Sequence, residues 1–146
     1  MNLYVIIATP FISAFLAQII KIILVKKNKM KIKDLIRLSY SGMPSGHSAF
    51  VISLATIIGL SEGFTSSLFA LSLAFAVIII NDALRLRRYL GQQGAIINIL
   101  IKDLKEDQFL DEKYPILRER IGHTIVEVIA GILLGLIIGI LMFKLF

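Results

Sequence analysis

Residues 124–143 read TIVEVIAGILLGLIIGILMF, twenty positions whose single charge, Glu127, lies close to the start. At about 1.5 Å per residue, such a run covers the roughly 30 Å hydrocarbon core of a bilayer. Helix is the form that satisfies every backbone polar group within one isolated segment. Gly131, Gly135 and Gly139 recur at intervals of four, which puts three bare patches of backbone on one helical stripe, the pattern of a close helix–helix contact. That contact is read first as packing within the chain and second as the seam of a homodimer.

Three further apolar runs lie upstream. Residues 3–25 are apolar apart from Gln18, Lys21 and two small hydroxyl residues, and they lack the basic start and small-residue cleavage site of a signal peptide. Residues 44–60 and 65–81 are shorter and are separated by a tight polar turn through Glu62 and Gly63. The expected fold is therefore all-α, an integral membrane bundle of about four transmembrane helices forming a single domain over residues 1–146. Residues 94–104 are apolar but too short to span, so a short interfacial or re-entrant helix is expected there.

Composition agrees with this reading. Of 146 residues, 57% are hydrophobic and the mean hydropathy is +0.84, too apolar for a soluble domain of this size. The net charge of +6 is carried between apolar runs and not along one exposed face, which favours anionic lipid or phosphate as partner over nucleic acid. Cysteine is absent, which removes disulfides, thiolate metal sites and a cysteine nucleophile. Six of the sixteen Lys and Arg residues fall in 26–37 and eight in 85–120. The positive-inside rule then predicts a plasma-membrane protein, taken as bacterial, with both loops cytoplasmic and both termini outside.

With that topology, the unusual residues meet on one face. Lys21 lies near the inner end of the first span, Ser45 and His47 at the start of the second, Asp82 at the end of the third, and His123 and Glu127 at the start of the fourth. Ionisable groups at membrane depth are costly and usually face a cavity, so they are functional candidates by default. In Met43-Pro-Ser-Gly-His-Ser48, the amides of a helix start, a serine hydroxyl and Gly46 suit phosphate oxygens, and His47 can deliver a proton. The competing reading is that Ser45 only caps the helix and His47 sits at a wet interface. His123 and Glu127 stand four apart and share a helical face, so a carboxylate can hold one ring nitrogen while the other attacks. A surface ion pair at the helix start is the plainer alternative.

Arg118 and Arg120, just upstream, can bind phosphoryl oxygens as charge builds. Asp82-Ala-Leu-Arg-Leu-Arg-Arg-Tyr89 joins one acid to three arginines. Arg85 and Tyr89 read as membrane anchors, whereas Arg87 and Arg88 are placed to grip phosphate. Lys21 either snorkels to the headgroups or reaches the phosphate. A metal site built from Asp82, Glu127 and the two histidines is disfavoured, since only His123 and Glu127 have a recognised ligand spacing.

As a pair, Pro44-Ser-Gly-His47 and Gly122-His-Thr-x-x-Glu127 resemble the two histidine motifs of the type-2 phosphatidic acid phosphatase and vanadium haloperoxidase superfamily. With Gln18, Lys21, Asp82-Ala, Arg87-Arg88 and Gln93, the chain is similar over nearly its whole length to the divergent membrane branch of that superfamily. The resemblance implies a metal-independent and cofactor-free phosphatase in which His123 attacks phosphorus, His47 protonates the leaving alkoxide and Glu127 orients His123. Ser45 and the Gly46 amide would hold phosphate oxygens. The superfamily's first motif, a lysine followed by an arginine-proline pair, has no counterpart, and Lys21, Arg87 and Arg88 are its proposed substitutes, with Asp82 beside them.

The expected activity is hydrolysis of a lipid phosphomonoester on the cytoplasmic leaflet, phosphatidylglycerol phosphate first, then phosphatidic acid or an isoprenyl diphosphate. The rival expectation is a membrane protein or assembly subunit that holds an anionic lipid without cleaving it.

Overall fold

A computed structural model describes residues 2–27, 42–106, 116–119 and 121–146. The basic connector at 26–37 lies largely outside these residues, and Arg120 lies wholly outside them. Among the described residues there are five α-helices. They are α1 (Leu3–Lys27), α2 (Gly46–Glu62), α3 (Ser67–Asn81), α4 (Arg87–Glu106) and α5 (Ile125–Leu145), with a π-helical turn, Asp82–Leu86, between α3 and α4. No strand occurs among the described residues.

Side-chain size runs opposite to that of a soluble bundle. The buried apolar residues are mostly small, among them Ala17, Ala49, Ala55, Ala76 and Ala83, while Phe11, Phe15, Leu71, Ile78, Leu133 and Ile137 are exposed. In a bilayer, large apolar side chains lose nothing by facing lipid, and helices gain by approaching closely through small residues. Among the described residues, three segments are long and apolar enough to cross a membrane, Leu3–Leu24, Ser67–Leu104 and Ile125–Leu145, and Gly46–Glu62 is a shorter apolar helix.

That shorter helix is the centre of the bundle, because α2 packs on α1, α3 and α5, and α1 also touches α5. From α1 it receives a buried stripe at four-residue intervals, Thr9, Ser13, Ala17 and Lys21. The Ser13 hydroxyl donates to the Ala49 carbonyl of α2 at 3.1 Å, and the Thr9 hydroxyl to its own Val5 carbonyl at 2.7 Å, so the buried hydroxyls are satisfied. From α5, α2 receives the three glycines. A Cβ on Gly135 would stand 2.7 Å from the Ala49 carbonyl oxygen, and one on Gly139 would stand 2.7 Å from the Thr56 Cβ, while on Gly131 it would collide with the Ser45 carbonyl oxygen. The stripe is thus covered by α2 of the same chain, and a homodimer seam along Gly131, Gly135 and Gly139 would have to displace that helix.

Residues 94–104 are helical, but they are the distal part of α4 and not a separate element. The chain runs helically from Ser67 to Glu106, with the π turn as its one irregularity. Beyond that turn, α4 carries polar residues between its apolar ones, whereas α3 is almost wholly apolar.

Candidate active site

The second helix starts where the fifth starts. Ser45 is the N-cap of α2, fully buried, and its Oγ accepts from the Ser48 amide at 3.4 Å and the Ser48 hydroxyl at 3.0 Å. The Ser45 amide donates to the Glu127 carbonyl at 2.8 Å, which ties the first turn of α2 to the first turn of α5. The Ser48 amide is taken by this cap and the Ala49 amide by the Ser45 carbonyl, while those of Gly46 and His47 have no acceptor among the described residues. A Cβ added to Gly46 would meet nothing within 4 Å, so there is open space beside these amides.

The start of α5 is capped by its own sequence. Thr124 Oγ1 accepts from the Glu127 amide at 3.3 Å, and Glu127 Oε2 accepts from the Thr124 amide at 3.0 Å, a complete capping box. The Glu127 carboxylate therefore holds the helix terminus and makes no hydrogen bond to His123, in contrast to the orienting bond implied by the family resemblance.

His123 itself is held by its backbone. In the π turn, the Arg87 amide reaches back five residues to the Asp82 carbonyl, where an α-helix would have it bond Ala83. The Ala83 carbonyl, relieved of that partner, accepts the His123 amide at 3.0 Å. Gly122, at φ 110°, has a backbone conformation that a side chain would strain, and a Cβ there would stand 3.1 Å from the Arg88 amide nitrogen.

The imidazole of His123 is 8% exposed, and neither Nδ1 nor Nε2 has a hydrogen-bond partner. Its ring lies 6.1 Å from that of His47, centroid to centroid, with the planes at 90°. His47 is exposed and forms the open side of the pair. Burial, then the nearby Lys21 ammonium, pushes the His123 imidazole down to about 4 against the pull of Glu127, with His47 and Arg87 adding to the fall. It is neutral at pH 7.

Lys21, buried in the second half of α1, thus belongs to the same site, as do Glu127 and Arg87. Arg87 Nε donates to Asp82 Oδ2 at 2.9 Å, so the most central arginine is already paired. Arg88 is exposed and meets the His123 loop through its backbone beside Gly122, and Arg118 is exposed with its carbonyl against Gly94. The structure brings together Lys21, Ser45, Gly46, His47, Asp82, Arg87, His123 and Glu127, while Arg88 and Arg118 are exposed. Among the described residues, no three His, Asp or Glu side chains converge as metal ligands would.

The sequence reading missed the residues on which this loop rests. Asn98 of α4 donates through Nδ2 to the Leu117 carbonyl at 2.8 Å and to Glu119 Oε1 at 3.0 Å, and its Oδ1 accepts from the Leu117 amide at 2.8 Å. Gly91 and Gly94, both buried, carry the backbone of Glu119 and Arg118. The one visible signal was two glycines three apart in an otherwise good helix.

An all-α bundle with apolar helices, small-residue interfaces and two facing histidines at its helix starts is an integral membrane protein. The chain belongs to the Divergent PAP2 family, whose sequence profile it matches over residues 3–138. It is 39% identical over 115 residues to the uncharacterized membrane protein YuiD of Bacillus subtilis (strain 168), covering 71% of this chain and 72% of that one. No solved structure matches the chain.

Proposed function

We propose that this protein is a metal-independent lipid phosphate phosphatase working by nucleophilic histidine catalysis. The observation that carries this reading is His123, a buried neutral imidazole with both ring nitrogens unpartnered, facing a second histidine 6.1 Å away. A buried polar side chain left without partners costs about 1–3 kcal/mol, and such groups in native folds call for a functional reason. A phosphoryl group entering between the rings would give both of them work.

In the proposed reaction, a ring nitrogen of His123 attacks phosphorus while the P–O bond to the lipid alkoxide breaks, and His47 gives that oxygen its proton. Water then attacks the phosphohistidine, the P–N bond breaks, and His47 takes the proton back. The Gly46 and His47 amides at the positive end of α2, with Lys21, would bind the phosphoryl oxygens. Arg87 would join them on leaving Asp82, with Arg88 and Arg118 at the rim. An apolar groove of about 280 Å³ along α2, lined by Ile52, Ala55, Leu73, Leu136 and Ile140, would take part of an acyl or prenyl tail. The substrate favoured is phosphatidylglycerol phosphate, followed by phosphatidic acid and isoprenyl diphosphates, taken from the cytoplasmic leaflet.

A second reading has one observation in its favour. Glu127 is committed to the capping box and Arg87 to Asp82, which suits a site that binds an anionic lipid without cleaving it. Phosphate release by purified wild type and His123→Ala in mixed micelles with EDTA separates the two readings. Turnover by wild type and none by the variant supports the phosphatase. Silence from folded wild type on all three substrates, with lipid still bound, supports the binding protein.

A further inference from the structure

The segment that delivers His123 is laid along one face of α4. Arg88, Gly91, Gly94 and Asn98 are spaced by three, three and four residues and so share that face. Going along it, the chain at 117–119 meets Asn98, Gly94 and Gly91 in turn, Gly122 reaches Arg88, and the His123 amide closes on Ala83. Asn98 pairs with Leu117 as a neighbouring strand would, one amide accepting and donating to the same residue. A Cβ on Gly91 would collide with the Glu119 carbonyl oxygen, and one on Gly94 would stand 3.0 Å from the Arg118 oxygen. Only a helix face without side chains lets the backbone lie this close.

We propose that Asn98, on the glycine face of α4 formed by Gly91 and Gly94, is the positioning residue of the active site, fixing the His123-bearing segment where the imidazole faces His47. The proposal rests on His123 as the attacking group. It replaces the expected orienting carboxylate with a backbone dock: α4 holds the chain at Leu117 to Glu119 and again at Gly122, and the π turn holds His123 itself. Asn98 touches neither substrate nor the reacting atoms. Its action is carried by the segment and read at the ring.

The test compares Asn98→Ala and Gly91→Ala with wild type, with Gln92→Ala on an exposed position of α4 as the control. Two readouts are taken on the purified protein. Backbone amide exchange over residues 117–123 reports the dock without reference to activity, and steady-state hydrolysis of a short-chain phosphatidic acid separates kcat from KM. Both dock variants are expected to speed exchange in that segment by about tenfold or more. They are also expected to lower kcat by about tenfold to a hundredfold with KM within about twofold, since misplacing a catalytic group by about 1 Å costs up to that much. Gln92→Ala should match wild type in both.

Faster exchange with unchanged kcat would overturn the positioning role, and unchanged exchange in Asn98→Ala would overturn the dock. If wild type hydrolyses nothing, the phosphatase reading fails separately and the positioning role falls with it, while the exchange rates still decide the dock. A dock variant that unfolds at wild-type conditions while Gln92→Ala does not would assign these residues to stability and end the proposal.

Discussion

A neutral buried histidine has a thermodynamic signature that can be read without any substrate. His123 is pushed from the usual 6.5 to about 4, burial being the largest cause. Between those two values the unfolded chain binds a proton that the folded one refuses, so stability from this residue is complete above pH 6.5 and is lost as pH falls towards 4. His123→Gln keeps a polar side chain of similar size and removes the titration. The melting temperature of wild type in detergent is therefore expected to fall more steeply than that of His123→Gln between pH 6.5 and 4. Parallel curves would mean that the imidazole is not held neutral. Glu127 shows how one residue can satisfy two patterns at once. Thr124-Ile-Val-Glu127 is a capping-box sequence, and His123 to Glu127 is also a four-residue relay spacing. The structure gives the carboxylate to the helix terminus, where an unpaired amide needs it.

At the scale of elements, the contact between α2 and α5 carries the site, because the Ser45 amide binds the Glu127 carbonyl at the top of the same interface that the glycine stripe closes. Gly135→Ala would place a methyl group 2.7 Å from the Ala49 oxygen and 3.0 Å from the Ser53 nitrogen, both backbone atoms that cannot swing aside. It is expected to cost about 1–3 kcal/mol, as overpacking usually does, and to lower the melting temperature of the protein at any concentration. A dimer seam would instead show concentration-dependent dissociation with the subunit's own stability unchanged. The stripe was legible in the sequence because its period is that of a helix, and so were the apolar spans, because length and hydropathy decide them. The continuity of Ser67 to Glu106 was not, since the charges from Asp82 to Arg88 read as a connector and a π turn leaves no periodic mark. Asn98 was hidden for a different reason: its partner Leu117 lies 19 residues away in sequence, so no spacing rule links them.

For the whole molecule, the question is which side of the membrane the histidine pair faces. The helix starts of α2 and α5, the end of α1 and the π turn share one end of the bundle, and the turn at Gly63 joining α2 to α3 lies at the other. Fourteen of the sixteen Lys and Arg residues fall at positions 26–37 and 85–120, the two stretches of sequence that precede the helix starts bearing the histidines. If the positive-inside rule governs, that end is cytoplasmic, and a lipid phosphate made on the inner leaflet meets the site without crossing the bilayer. The native chain has no cysteine, so single cysteines report topology cleanly. Thr65→Cys, at the exposed turn before α3, and Gln92→Cys, on the exposed face of α4, stand at opposite ends. In intact bacterial cells, a membrane-impermeant maleimide is expected to label Thr65→Cys at once and Gln92→Cys only after lysis. The reverse order would turn the site outward. Substrate would then have to come from the outer leaflet, and the preference for phosphatidylglycerol phosphate would lose its physical basis even if His123 proved catalytic.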